Sequence, residues 1–407
     1  MLVFEFKLKT NHLQKQLITQ AIRASQFIRN SCLRYWIDGK KEDKINRFAL
    51  NKYTKILADN PNFPWVKQLN SMARQASAER TWFAISRFFD NCKKGIKEKK
   101  GYPCFKKNSR SVEYKTSGWS LSDDKKYLTM TDGFGIGKMK LIGSRDLHFY
   151  DKKLIKRVRL IKRADGFYAQ FCLDVDRNEK IKITNKSIGI DLGLNHFYTD
   201  SNNIKVDNPR FLRKSEKLLK KRQRQVSKKK KGSANRRKAI NRLARKHLKV
   251  SRQRKDFVVK TARTLCLSND RIVLENLNVR GLVKNHNLAL SISDASWSLF
   301  REWLEHFGQV FNREIIAVEP KYTSQDCSNC GNRVKKSLST RTHICSCGTV
   351  LCRDHNAAIN ILNKGEPVRS WEGSAVLGVS PMSDCRGLPH EQLAVRMGNP
   401  KPLLYME

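Results

Sequence analysis

The sequence predicts an α+β multidomain protein, and three observations carry that prediction. Period-two alternation stands at residues 1–10 and returns over about 111–184, with helical periodicity between the two. From residue 187 a second set of strands is interleaved with long helices and ends in a helix that opens near Asp354. Just before that last helix, five of the eleven cysteines crowd into residues 327–352.

The first ten residues, MLVFEFKLKT, alternate like a strand. Leu17, Ala21, Ala24 and Ile28 then recur at helical intervals, and Trp82, Ile85, Phe88 and Phe89 mark the inner face of a second helix. Between them NPNFP (60–64) is a break, and KKGIKEKKGYPCFKK (93–107) reads as a basic loop with a Gly-Tyr-Pro turn. Short strands follow over 111–184, the clearest pair meeting at an Asp165-Gly166 hairpin turn. A strand before a helical insertion and more strands after it predict one β-barrel (1–10 and 111–184) interrupted by a helical domain (11–110).

Residues 187–206 read as strand, tight turn, strand, turn, strand. The segment 210–263 holds 24 Lys and Arg against only Glu216 and Asp256. Within it SKKKKGS is a flexible basic loop between two helices, and Ile240, Leu243, His247 and Leu248 keep a stripe on the second. RIVLENLNV (271–279) reads as a buried strand ending in Glu275, followed by a helix at about 294–308 and the strand EIIAV at 314–318. The tail, 366–407, is rich in Gly, Pro and Ser and is expected to be poorly ordered.

Charge narrows the partners. There are 82 Lys and Arg against 37 Asp and Glu, a formal charge of +45. Solubility needs only a net charge of about 2–8 for a small domain, so an excess spread along the whole chain points to a polyanion, and nucleic acid is the expected one. No stretch approaches the ~20 apolar residues of a membrane span, and the first residues lack an apolar signal-peptide core. Six cysteines are scattered (Cys32, Cys92, Cys104, Cys172, Cys266, Cys385), which argues for a reducing cytoplasm rather than a disulfide framework. The expected location is therefore the cytoplasm of a bacterium, associated with the nucleoid.

Three acids carry the chemistry. Asp191 lies on the first strand after 187, Glu275 on the fourth, and Asp354 at the mouth of the last helix, which is the order of an RNase H-like fold. Cleaving a phosphodiester with two hard cations requires oxygen ligands that hold Mg²⁺, and carboxylates supply them. Taken singly, Asp191 could form a turn, Glu275 could end a strand in water and Asp354 could cap its helix. Together, Asp191, Glu275 and Asp354 are expected to be catalytic and to bind two Mg²⁺ ions.

The cysteines form a second constellation. CSNCG (327–331) is a knuckle, and fourteen residues separate Cys330 from Cys345 in CSCG (345–348), where one residue instead of two divides the pair. Cys327, Cys330, Cys345 and Cys347 suit one tetrahedral, structural Zn²⁺. Because the second pair is short, Cys352, and less so His343, stand as substitutes for the fourth ligand.

GIDLG, LEN, LSISDASW, KYTSQDCSNCG and CRDHNAAINIL, in that order, closely resemble the TnpB family, transposon-encoded RNA-guided nucleases akin to compact type V CRISPR effectors. The resemblance covers about residues 1–365. The family pattern reads Asp-Arg-Asp where this chain has Cys352-Arg353-Asp354, and the second Asp is kept. The resemblance implies a wedge-like β-barrel with an inserted helical recognition domain and a RuvC nuclease domain over 185–326 and 349–365. It implies a zinc-knuckle insertion at 327–348, and it maps Asp191, Glu275 and Asp354 onto the RuvC triad. It further implies a guide RNA transcribed from the transposon end, a double-stranded DNA target beside a short flanking motif, Mg²⁺-dependent cleavage, and a monomer within the ribonucleoprotein. The 210–263 helices would line the guide–target channel. The alternatives are a nuclease-inactive RNA-guided repressor and a DDE-type transposase, whose usual acid order, Asp-Asp-Glu, differs from the Asp-Glu-Asp found here.

Overall fold

The computed structural model describes residues 2–96, 100–143, 147–337 and 339–365, so the expected disordered tail lies outside the described residues. The chain divides into two compact units at Asp176/Arg177.

The first unit begins with strand β1 (Leu2–Lys9). Four helices follow: α1 (His12–Asp38), α2 (Arg47–Asp59), α3 (Pro64–Gln68) and α4 (Ser71–Lys93). The helical insertion ends where β2 (Ser111–Tyr114), β3 (Trp119–Leu121), β4 (Tyr127–Met130), β5 (Gly137–Ile142), β6 (Ile155–Arg163) and β7 (Gly166–Leu173) begin. Asn11 starts α1 with a reciprocal cap to Gln14, satisfying two N–H groups that the first turn leaves unpaired. Helix α2 was not visible in the sequence periodicity. Its signals are the Asn46 side chain capping Phe48 and Ala49, and the buried Leu50, Thr54, Leu57 and Ala58.

All seven strands pair antiparallel in the order β2-β6-β7-β1-β5-β4-β3. The order runs from β2 at one end to β3 at the other, with β1 drawn in between the later strands. Strand structure stops at Leu173 rather than 184: DVDRNEK offers charged groups on both faces and so has no apolar face to bury. Beside the core, Glu79 of α4 meets Arg47, Lys115 at 2.7 Å and Arg157 at 3.3 Å. Glu113 of β2 meets Arg157 at 2.5 Å and Arg159 at 2.6 Å. Both carboxylates are buried, and the shared arginine compensates each.

The second unit opens with β8 (Ser187–Leu192), β9 (His196–Asp200) and β10 (Lys205–Asp207). The basic helices α5 (Phe211–Ser227) and α6 (Ala234–Ser268) flank the lysine loop as expected. Next come β11 (Arg271–Glu275), α7 (Val279–Leu282), α8 (Ala289–Ala295), α9 (Trp297–Phe311) and β12 (Glu314–Val318). The hairpin β13 (Thr342–Ile344) and β14 (Val350–Cys352) then leads into α10 (Arg353–Gly365). The strand ends at Glu275 as expected, and Asn278 then caps α7. The helix expected at about 294–308 is α9, which begins after Ser296 adopts φ 61° and parts it from α8.

The sheet order is β10-β9-β8-β11-β12, with β11 parallel to both neighbours. Side chains alternate across it. Ile188, Ile190, Ile272 and Leu274 face a core with Val258 and Ala262 of α6 and Phe300 and Leu304 of α9. Val273 and Val318 face the other way, against Ile361 of α10. No described helix is long and apolar enough to cross a membrane.

Candidate active site

The face that carries α10 also carries the acids. Gly189, Asp191, Val273 and Glu275 share it by the two-residue alternation. The register pairs Ile190 with Leu274, so Asp191 and Glu275 stand one step further along two adjacent parallel strands, about 4.8 Å apart at the backbone. Gly189 lets α10 lie directly on the sheet. A β-carbon there would fall 2.7 Å from the Leu362 backbone nitrogen and 2.8 Å from Leu362 Cβ, and would also collide with the Ala358 carbonyl. Gly365 likewise abuts Val273. Asp354 sits in the first turn, four residues or about 6 Å up the helix from Ala358, and so faces the strand ends where the other two acids stand.

The electrostatics agree with that placement. Burial, then the charges of Glu275 and Asp354, push the Asp191 carboxyl well above the ordinary range, against the opposing pull of Arg353. Burial also raises Glu275, although the Thr323 hydroxyl donates to it at 2.6 Å and Lys364 is near. Asp354 has Arg353 Nε at 3.3 Å. Asp191 therefore feels both other acids, but the three do not crowd together: among the described residues the only metal-competent group with ligand atoms all within 4.8 Å is the cysteine cluster.

That cluster is Cys327, Cys330, Cys345 and Cys347. Cys327 and Cys347 sulfurs are 3.7 Å apart and those of Cys330 and Cys345 3.5 Å. A tetrahedron with ~2.3 Å metal–sulfur bonds has edges of about 3.8 Å, so the thiols fit a tetrathiolate metal. Gly331 and Gly348 take φ of 76° and 86°, each turning the chain after its cysteine pair, and only glycine does this without strain. The one-residue spacing of the second pair is thus accommodated. Cys352 pairs opposite Thr342 on the hairpin and takes no part, and buried His343 lies against Lys336 instead of joining the sulfurs.

Sequence reasoning missed a set of buried polar residues around these two sites. Asn356 is 0% exposed and Asn360 9% exposed, yet both lie on the inner face of α10 among Ala357, Ala358 and Ile361. The signal was an i, i+4 pair of amides inside an apolar stripe, which is costly unless each amide is hydrogen-bonded.

Residues 170–286 match a family model described as OrfB of IS605, "probable transposase", and residues 297–361 match the Cas12f1-like TNB domain. A "Putative RNA-guided DNA endonuclease" of Streptomyces pristinaespiralis is 41% identical over 184 residues, covering 45% of this chain and 46% of that protein. Over 90% of this chain, and 92% of the relative, the "Putative RNA-guided DNA endonuclease InsQ" of Escherichia coli K12 is 24% identical. These matches support the resemblance to the TnpB family. The chain spans about half the length of its Streptomyces relative. In fold, this chain is similar to the protein in a structure titled "Cryo-EM structure of the Cas12f1-sgRNA-target DNA complex", with a TM-score of 0.50, 16% identity, and coverage of 86% of this chain and 82% of that one.

Proposed function

We propose that this protein is an RNA-guided DNA endonuclease that cuts double-stranded DNA beside a short flanking motif, using Asp191, Glu275 and Asp354 as the ligands of two Mg²⁺ ions. The observation that carries the reading is the placement of three acids from β8, β11 and α10 on one sheet face, where buried Asp191 feels the charges of both Glu275 and Asp354. The Mg²⁺ ions, when bound, supply an activated water and stabilise the leaving oxygen.

The chain's own groups do the rest. Asp191, between the other two acids and partly enclosed, is the residue whose charge most needs a cation. Glu275 is held in one orientation by the Thr323 hydroxyl, leaving its second oxygen free to face the site. Arg353, beside Asp354, supplies a cation near a scissile phosphate. Helices α5 and α6 form a hairpin around Leu212, Leu219 and Val250, with a cover of outward lysine and arginine suited to phosphate tracking along a guide–target duplex. The cysteine cluster would hold one structural Zn²⁺, since four protein ligands leave no open position.

The names of the relatives support this activity, and the family supports a guide RNA of transposon origin. The wedge-like barrel at 1–10 and 111–184, the helical domain at 11–110, the RuvC-like domain and the 327–348 knuckle belong to the same proposal, as does a monomer in the ribonucleoprotein. Retargeting tests it. RNA that co-purifies with the chain is sequenced, its guide portion is replaced, and duplexes matching the old and new guides are offered with Mg²⁺. Cleavage should follow the guide; cleavage indifferent to it would refute RNA guidance.

A further inference from the structure

We propose that Asn356, Asn360 and Thr323 form a hydrogen-bonded splint between the cysteine cluster and Glu275, through which the metal state of the cysteines sets how tightly the acidic site holds divalent cations. The inference rests on the reading of the acids as a cation site. Its parts are buried and contiguous. Asn356 Oδ1 accepts from the Ser328 N–H at 3.0 Å, and its Nδ2 donates to the Asp326 carbonyl at 2.8 Å. One turn later, Asn360 Nδ2 donates to the Thr323 carbonyl at 2.8 Å and to the Asp326 carbonyl at 2.7 Å. Thr323 then passes its hydroxyl to Glu275 Oε1 at 2.6 Å.

The two asparagines thus clamp both flanks of Cys327 to the helix that presents Asp354. Residues 323–328 have the cysteine cluster at one end and a catalytic carboxylate at the other. An amide is the side chain that can do this, because it offers a donor to a carbonyl and an acceptor to an N–H at once. The segment has no apolar core of its own, so its geometry follows from these bonds and from metal at the thiols. Glu275 keeps one orientation only while Thr323 stays where the clamp holds it. Thr323, Asn356 and Asn360 are therefore positioning residues, acting through Glu275 and Asp354.

Mn²⁺ titrated by calorimetry into the purified full-length chain reads the acidic site, and released zinc reads the cysteines. Thr323→Val should keep its zinc and bind Mn²⁺ about 10-fold more weakly, the scale typical of a lost partner behind a metal ligand. Thr323→Ser, which restores the hydroxyl, should recover the affinity, a rescue that a packing role would not give. Removing zinc from the unaltered chain should weaken Mn²⁺ binding similarly, and should add little in Thr323→Val, since the link is already cut. If the stripped chain unfolds, the zinc-loaded Thr323→Val and Thr323→Ser pair still decides. Mn²⁺ affinity that is lost in Asp191→Ala but indifferent to Thr323→Val would overturn the splint alone. Unchanged affinity in Asp191→Ala would instead overturn the cation site itself.

Discussion

Replacing Gly189 by alanine tests how the fold builds its site. The added methyl would lie 2.7 Å from Leu362 N and 2.8 Å from Leu362 Cβ, while ordinary contact begins near 3.4 Å, and it would also strike the Ala358 carbonyl. All three atoms belong to α10, two of them to its backbone, so no side-chain rotation relieves the clash. The helix must withdraw by roughly 1 Å. Overpacking of this kind costs about 1–3 kcal/mol. Removing a strand glycine returns about 0.5–1 kcal/mol of backbone entropy, so the net change stays destabilising. A loss of about 2 kcal/mol moves a urea midpoint by about 0.7 M at an m-value near 3 kcal/mol/M. The larger effect is on activity, because Asp354 rides on the displaced helix while Asp191 and Glu275 stay with the sheet. A misplacement of about 1 Å can cost on the order of 10²-fold in rate. The assay is cleavage of an RNA-matched duplex alongside urea unfolding of the same preparation. A Gly189→Ala protein that cuts at the unaltered rate with an unchanged midpoint would refute the seating of α10 on β8.

Three other outcomes follow from the structure. Burial would raise the Glu113 carboxyl, but Arg159, Arg80 and Arg157 outweigh it and hold it below the ordinary range, so its stabilisation is present above the unfolded carboxyl's pKa and is lost as pH falls through the lower folded value. Glu113→Gln should therefore cost about 3–5 kcal/mol at neutral pH, shrinking in acid, as read by denaturant melts over pH 3–7. Cys347→Ser should lower zinc from one per chain and make the 327–348 segment protease-sensitive, with the first unit's melting unaffected; full zinc retention would contradict the four-sulfur assignment. Alanine at Lys228, Lys229, Lys230 and Lys231 should reduce the salt slope of RNA binding, by about 0.7–0.9 for each lysine that contacts phosphate, and an unchanged slope would remove this loop from the interface.

The sequence made the order of elements legible because its signals are local. Alternation located β1 and the β6–β7 hairpin, and charge density located α5 and α6. The acids were legible for a different reason, since a carboxylate after a strand or at a helix mouth in so basic a chain stands out against its neighbours. Less visible was anything decided by tertiary partners. Helix α2 hid because its exposed Phe48 and Ile56 blur the apolar period. The break at Ser296 depends on a positive φ that serine rarely adopts, and no local residue announces it. Choosing among Cys352, His343 and Cys347 required knowing that the β13–β14 hairpin carries Cys352 to a position opposite Thr342. Thr323 and Asn360 gained their meaning only when α10 was seated on the sheet. Ordinary polar residues become informative once they are known to be buried.

The central claim is tested most directly by incubating the chain, loaded with its own RNA, with matched duplex and Mg²⁺, and comparing it with Asp191→Ala while target binding is measured in parallel. The account predicts double-strand cuts by the unaltered protein and none by the variant, with both binding the target. Equal cutting by Asp191→Ala, or tight binding without any cut by the unaltered protein, would contradict it.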